Sequence, residues 1–237
     1  QISLMNPTNI GFNFFAYGIF PIVLNKIIAV TLNTDTYNDF VIQGRYLSAL
    51  FDLLIIFFIY KTVELFEKKY ILNKSIKLLA SFFYAVAVLP IQLSHFFTTD
   101  TFLNFFTFTS FYFALHFSMK QKAQDVIMSA LLFGFAFASK ITAIYIIPLI
   151  FIFFLLPSIT EMLQVNNIPT LKKGLFKISI KGSIIFLVFT AVAYTTTRFA
   201  DPYLFQSSNF FDIHPNKAFL ESIETLRSFN NKEAWFP

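Results

Sequence analysis

The sequence predicts an all-α fold, a polytopic bundle of about six membrane-spanning helices with one further helix lying along the outer face. Three observations predict it. Charged residues make up only 13% of the chain and hydrophobic ones 56%, including 36 Phe. A soluble domain carries roughly a quarter charged residues and has no core able to hide so much apolar surface. The apolar stretches also approach the length of about 20 residues that crosses a bilayer as helix. Finally, the cations alternate from one inter-span loop to the next, as they do when cytoplasmic loops collect Lys and Arg.

The spans are expected at about 45–66, 75–97, 99–118, 125–140, 141–157 and 177–197. The loop 67–77 holds Lys68, Lys69, Lys74 and Lys77 against Glu67; 119–125 holds Lys120 and Lys122 against Asp125; 158–181 holds Lys172, Lys173, Lys177 and Lys181 against Glu161. These three loops are expected on the cytoplasmic side. Residues 33–44 carry Asp35 and Asp39 with no cation, the 98–100 turn carries only Asp100, and the tail from Arg198 onward is nearly balanced. Those segments are expected outside. Because both flanks of 125–157 are then cytoplasmic, that stretch crosses twice in short helices and turns near Lys140.

The run 14–32 contains Pro21 and Lys26 and reads as an interfacial helix along the outer leaflet. No small-xxx-small run dominates any helix. The division expected is an outer loop over 1–44, the bundle over 45–197 and the start of a larger outer region over 198–237. Gln1 is no initiator, and Trp235-Phe236-Pro237 ends in a loop-like phrase, so an internal piece of a longer protein is expected. The formal charge of +5 sits mostly in short loops and points to no nucleic acid. No Cys is present, which excludes disulfides and thiolate metal sites. Neither a Walker loop nor the G-x-G-x-x-G, H-E-x-x-H or G-x-S-x-G motifs occur.

Ionisable groups within or at the ends of spans are costly unless paired or wet, which makes them functional candidates. Asp52, on the face of its helix that also carries Arg45, either faces a polar cavity or makes a structural hydrogen bond to a neighbouring helix. His95 and Asp100 lie five residues apart at an outer turn. They suit metal binding or handling of a substrate proton, although Thr98, Thr99 or Asp100 could equally cap the next helix. Lys140, Arg45 and Arg198 break the positive-inside pattern and cluster at one rim, which favours an anionic ligand such as a lipid phosphate. Snorkelling to headgroups explains any one of them alone. His116 and the Glu64/Lys68 pair read as structural or surface features.

Four ordered phrases resemble the polyprenyl-phosphate-sugar-dependent glycosyltransferases of the GT-C fold, and among them the protein O-mannosyltransferase and aminoarabinose transferase relatives. They are Asn6-Pro7 with Phe15-Ala-Tyr17-Gly18-Ile-Phe-Pro21; Gly44-Arg45-Tyr-Leu-Ser48-Ala-Leu-Phe-Asp52; His95-Phe-Phe-Thr-Thr-Asp100; and Gly134-Phe-Ala-Phe-Ala-Ser-Lys140. Arg198-Phe-Ala-Asp-Pro202-Tyr203 resembles the entry to a third, larger outer loop. The resemblance implies transfer of a sugar, with inversion, from a polyprenyl-phosphate carrier to a protein, lipid or glycan acceptor outside the cytoplasmic membrane. It implies that Asp100 is the acid of the second outer loop and Lys140 the cation near it and the carrier phosphate. Arg45, Arg198, His95 and Tyr17 follow as weaker carrier contacts. The family's catalytic base is an acid in the first outer loop, expected upstream of this chain. Some relatives use a divalent metal, and no ligand set for one can be assigned. A transporter or flippase of an amphipathic anion and a non-catalytic membrane subunit are the alternative readings.

Overall fold

The computed structural model describes residues 11, 14–34, 36–70, 73–163, 168–207 and 209–230. Asn6-Pro7, Asp35 and Trp235-Phe236-Pro237 lie outside them. Among the described residues every regular element is helical, apart from one isolated bridge between Phe205 and Pro215.

After a short strap over 14–19 comes α1 (Phe20–Leu32), with Pro21 in its first turn. That is where proline's missing N–H does no harm. The helix packs on α2 (Tyr37–Tyr70), burying Pro21, Asn25 and Ala29, while Phe20 stacks on Phe135 and meets Phe106 edge-on. The Asn25 side-chain amide donates to Phe40 O, and the Gln43 amide returns a bond to Asn25 O. The 34 residues of α2 extend beyond the 22 expected from hydropathy alone. Thr36 and Asp39 explain the early start: Asp39 N–H donates to Thr36 Oγ1, which in turn donates to the Asp39 carboxylate at 2.5 Å. That reciprocal cap starts the helix in a polar segment.

The expected span 75–97 is two helices, α3 (Ser75–Ala85) and α4 (Val88–Ser94), bent by 59°. Pro90 accounts for the bend. It cannot donate to Val86 O, and its ring would strike that carbonyl in a continuous helix. As the third residue of a new helix it is harmless. Neither α3 nor α4 buries a single residue, yet Leu78, Leu79, Phe82, Phe83, Val88 and Leu89 are all more than half exposed. A surface of that kind suits lipid and not water.

The centre of the bundle is α5 (Thr99–Lys120), α6 (Ala123–Ser139) and α8 (Ile168–Ala200), with α7 (Ile147–Leu163) alongside. Gln121, in the left-handed region at φ 52°, makes the two-residue turn between α5 and α6. Those helices approach closely at Ser110 and Ser129, each hydroxyl donating to the other's carbonyl at 2.8 and 2.9 Å. The expectation that no small-residue stripe dominates a helix is corrected here. Ala130, Gly134 and Ala138 stand four residues apart on α6 and all are buried. A Cβ at Gly134 would come within 2.6 Å of Thr196 Cβ and 2.9 Å of Ala193 O, so only glycine lets α8 this close. The rest of the core is largely phenylalanine. Phe51 of α2 stacks on Phe105 at 4.6 Å and meets Phe102 and Phe106 edge-on, arrangements that aromatic quadrupoles favour.

Helix α6 ends at Lys140, whose backbone is extended, and a 3-10 turn over Ile141–Ile146 leads into α7. In a continuous helix Ser139 O would accept from Ala143 N–H. Here Ala143 N–H goes to Lys140 O at 3.1 Å, and Ser139 O is taken by Gly18 N–H of the strap at 3.1 Å. The turn thus falls where the length argument requires one, and a tertiary contact satisfies the carbonyl it releases.

Among the described residues two helical stretches are long and apolar enough individually to cross a membrane: Ile141–Leu163, with mean hydropathy 2.4, and Ile180–Ala200, with 1.4. The α3–α4 pair counts as a third if it is one broken span. The fold is an apolar helical bundle with a helix at every position where a span was expected.

Candidate functional site

The N-terminal ends of α2 and α5 and the C-terminal ends of α4, α6 and α8 meet at one end of the bundle. Gly44 on α2 makes part of that possible. A Cβ there would fall 2.5 Å from the Phe97 ring, so the α4–α5 turn sits directly on this position. Asp100 is in the first turn of α5, and Thr98 is the N-cap residue, yet no side chain there makes a capping bond. The Asp100 carboxylate points elsewhere. Its Oδ1 accepts from Lys140 Nζ at 2.8 Å, joining residues 40 apart in sequence. This pair is open: the side chains are 41% and 24% exposed. The ammonium also lies 5.2 Å from the centre of the Tyr17 ring, within range of a cation–π contact.

Tyr17 is carried there by the strap. A Cβ on Gly18 would sit 1.9 Å from Ala138 O, so the backbone rests on the end of α6 with no space between. The next residue, Ile19, donates its N–H to Asp201 Oδ2 at 3.1 Å. Asp201 is fully buried just beyond α8, and its Oδ1 has no hydrogen-bond partner. Burial pushes its carboxyl up to about 7, against the opposite pull of the Ile19, Leu204 and Tyr203 N–H groups.

Arg198 is close in sequence, and its hydrogen bonds go to another segment. It is 6% exposed, donates to the carbonyls of Ser207 and Asn209, and lies 4.4 Å over the Phe205 ring. Its Nη1 is buried without a partner. Arg45 is exposed on α2, one residue from the Gly44–Phe97 contact. His95 is exposed at the end of α4, and its Nδ1 lies 2.6 Å from Ile91 O, which fixes Nδ1 as the protonated nitrogen. Asp52 stands apart from this group. It accepts from Tyr84 of α3 at 2.7 Å, the structural hydrogen bond between helices that was one of its two readings. Among the described residues no three His, Asp or Glu side chains gather as a metal site would require.

Sequence reasoning missed Asp201. Its one visible signal was an acid followed by proline at the end of an apolar run, which also describes an ordinary helix terminus. Nothing in the sequence shows that the strap folds back to it across 182 residues.

The Lys140–Asp100 pair and Tyr17 thus stand together, partly exposed, at one end of an apolar helical bundle. Residues 20–180, well over half the chain, match the family described as dolichyl-phosphate-mannose-protein mannosyltransferase. The chain belongs to that family, and is a membrane glycosyltransferase of the GT-C class. No curated protein and no solved structure matches it.

Proposed function

We propose that this protein transfers a sugar from a polyprenyl-phosphate carrier to an acceptor on the extracytoplasmic side of the cytoplasmic membrane. The observation that carries the proposal is the Lys140–Asp100 pair at the break after α6, in a chain of the mannosyltransferase family. In such a transfer the acceptor oxygen bonds to the sugar's C1. The bond from C1 to the carrier phosphate breaks, and the phosphate gains negative charge. Lys140 supplies the cation that stabilises this charge. Asp100 Oδ1 holds the ammonium in place, and Oδ2 is left for a sugar or acceptor hydroxyl. The acceptor's proton goes to another acid, expected in the preceding outer loop. Arg45 and His95, both exposed, are the further headgroup contacts in this reading. Arg198 contributes by holding the Ser207 and Asn209 carbonyls, and Tyr17 covers the lysine.

A groove of about 350 Å³ between α6, α7 and α8 supports a lipid substrate. Phe133, Phe151, Phe189 and Tyr194 line it, and it ends at Thr197 and Phe205 beside Arg198. A larger apolar groove of about 780 Å³ opens at the other end, by Lys181, far from this chemistry. The residues 1–44 and 198–237 are the outer parts in this reading, with 45–197 as the bundle.

The test is sugar transfer by the full-length protein in proteoliposomes, with a radiolabelled polyprenyl-phosphate sugar. Asp100→Asn and Lys140→Ala each lower transfer by about a hundredfold or more at normal expression. Wild-type rates in both would remove the site assignment. Counterflow of a labelled amphipathic anion without sugar transfer would favour the transporter.

A further inference from the structure

The strap 14–19 has no helix or strand of its own, so its buried N–H groups depend on acceptors supplied by other elements. The structure provides them from two directions. On one side Gly18 N–H bonds to Ser139 O at the end of α6. On the other, Ile19 N–H bonds to Asp201 Oδ2 and Phe15 N–H to Ser222 Oγ at 3.2 Å, on α9 (Lys217–Asn230). The Phe15 ring meets Tyr203 edge-on at 6.2 Å, and Ile19, Tyr203, Leu204 and Phe219 form a separate small core. Tyr17 lies between these two sets of anchors, with its ring on Lys140.

Asp201 stands out among the anchors. A carboxyl group this deeply buried is costly, and among the described residues no cation forms an ion pair with it. Arg198, three residues away, is committed to the Ser207 and Asn209 carbonyls. The Asp201 carboxylate accepts from Ile19 N–H of the strap and also from the Tyr203 and Leu204 N–H groups of its own segment, so the strap bond is the one that reaches across the chain.

We propose that Asp201 is a positioning residue: its carboxyl group latches Ile19, and through Gly18 and Tyr17 it holds the Lys140 ammonium where the carrier phosphate is met. The segment 201–222 therefore controls the geometry of a site it does not itself touch. The proposal rests on the reading of Lys140 and Asp100 as the transfer site.

The test uses the full-length protein in proteoliposomes, with a Tyr17→Cys reporter and any other cysteine replaced. The rate of labelling by a membrane-impermeant maleimide reads the strap directly. Asp201→Ala raises that rate on the order of tenfold, because one anchor is gone. Asp201→Asn keeps an oxygen acceptor for Ile19 N–H and stays within about twofold of the parent. Gly18→Ala leaves Asp201 intact but drives a methyl into Ala138 O, and it raises the rate as well. With Tyr17 restored, Asp201→Ala lowers kcat on the order of tenfold while the carrier KM changes little, as misplacement of a reacting-site group does. Unchanged labelling in Asp201→Ala overturns the latch, as does an Asn variant that labels like the Ala variant. Should Asp201→Ala fail to accumulate, unchanged labelling in Gly18→Ala overturns it independently. The labelling outcome does not depend on transfer. If Lys140→Ala and Asp100→Asn remain active while the labelling behaves as stated, the site reading fails and the latch stands.

Discussion

The two ends of the bundle carry similar numbers of ionisable groups and use them in opposite ways. At the lysine-rich end the partners are closed on one another. His116 Nδ1 meets Asp125 Oδ2 at 2.8 Å with the carboxylate 2% exposed, and Lys77 meets Glu67 at 2.8 Å with 16% and 8% exposed. Lys181 donates to Gln121 across the α5–α6 turn. These bonds tie neighbouring helices together. At the other end the Lys140–Asp100 pair is open, and the buried Asn25 Oδ1, Thr98 Oγ1, Arg198 Nη1 and Asp201 Oδ1 lack partners, where the lysine-rich end has Glu67 Oε1 in that state. Buried polar groups in settled structure are nearly always satisfied, so an accumulation of orphans marks a region shaped for something other than its own stability. On the proposed function, the comparison sets an end that fastens the bundle against the end where transfer would take place.

The sharpest way to break this comparison is to remove the most buried acid of the fastening end. Asp125→Ala leaves the His116 ring facing a void and a lost hydrogen bond, at a cost of about 1–3 kcal/mol. The expected result is a melting temperature lowered by several degrees in detergent, with transfer per folded molecule close to the parent. Lys140→Ala should behave oppositely, with little change in melting and a large loss of transfer. If Asp125→Ala abolishes transfer while the protein stays folded, the two ends are not separate in function.

A second, smaller effect concerns Asp201. Its carboxyl is raised to about 7 in the folded state against 3.8 for the free group. Between those values the folded chain binds more protons than the unfolded one, so stability falls as pH rises. The penalty is absent below about pH 4, grows through the window up to about pH 7 and is constant above it. Arg198 and Tyr203 are its nearest ionisable neighbours in sequence, and Tyr203 is itself pushed up by burial and by the Asp201 charge. Thermal unfolding measured at intervals from pH 4 to 8 should show this downward slope, and Asp201→Asn should flatten it. An identical slope in both proteins would mean that another group sets the pH dependence.

Much of the fold was legible because hydropathy and loop charge are one-dimensional properties. The turn at Lys140 followed from counting residues between two lysine-bearing loops. The bend at Pro90 was missed because apolar character runs straight through it, and only the carbonyl of Val86 registers the missing N–H. The small-residue stripe Ala130, Gly134, Ala138 was in plain view, but it lies within a run whose large residues dominate any average. At the site, Asp100 and Lys140 were legible as charges placed where charge is costly. Their nearness followed only from the family resemblance, and the direct hydrogen bond was not legible, since it depends on the rotation of α5 relative to α6. Asp201 and the strap were the least legible, because their contact is a backbone N–H meeting a carboxylate across most of the chain.

The smallest expected effect tests whether closure alone defines the fastening end. Lys61 and Glu64 form an i, i+3 pair on α2 at 3.1 Å, with side chains 37% and 23% exposed. The Lys61 ammonium also lies 5.7 Å from the Phe57 ring. A pair this accessible on a single helix gains little, because solvent screens the charges and ordering two long side chains costs entropy. Lys61→Ala should therefore change unfolding free energy by less than about 0.5 kcal/mol and leave transfer unchanged. A loss comparable to that of Asp125→Ala would show that ionic contacts within a helix, and not only those between helices, hold this end together. The distinction would then shift from which helices a pair joins to which end of the bundle it occupies.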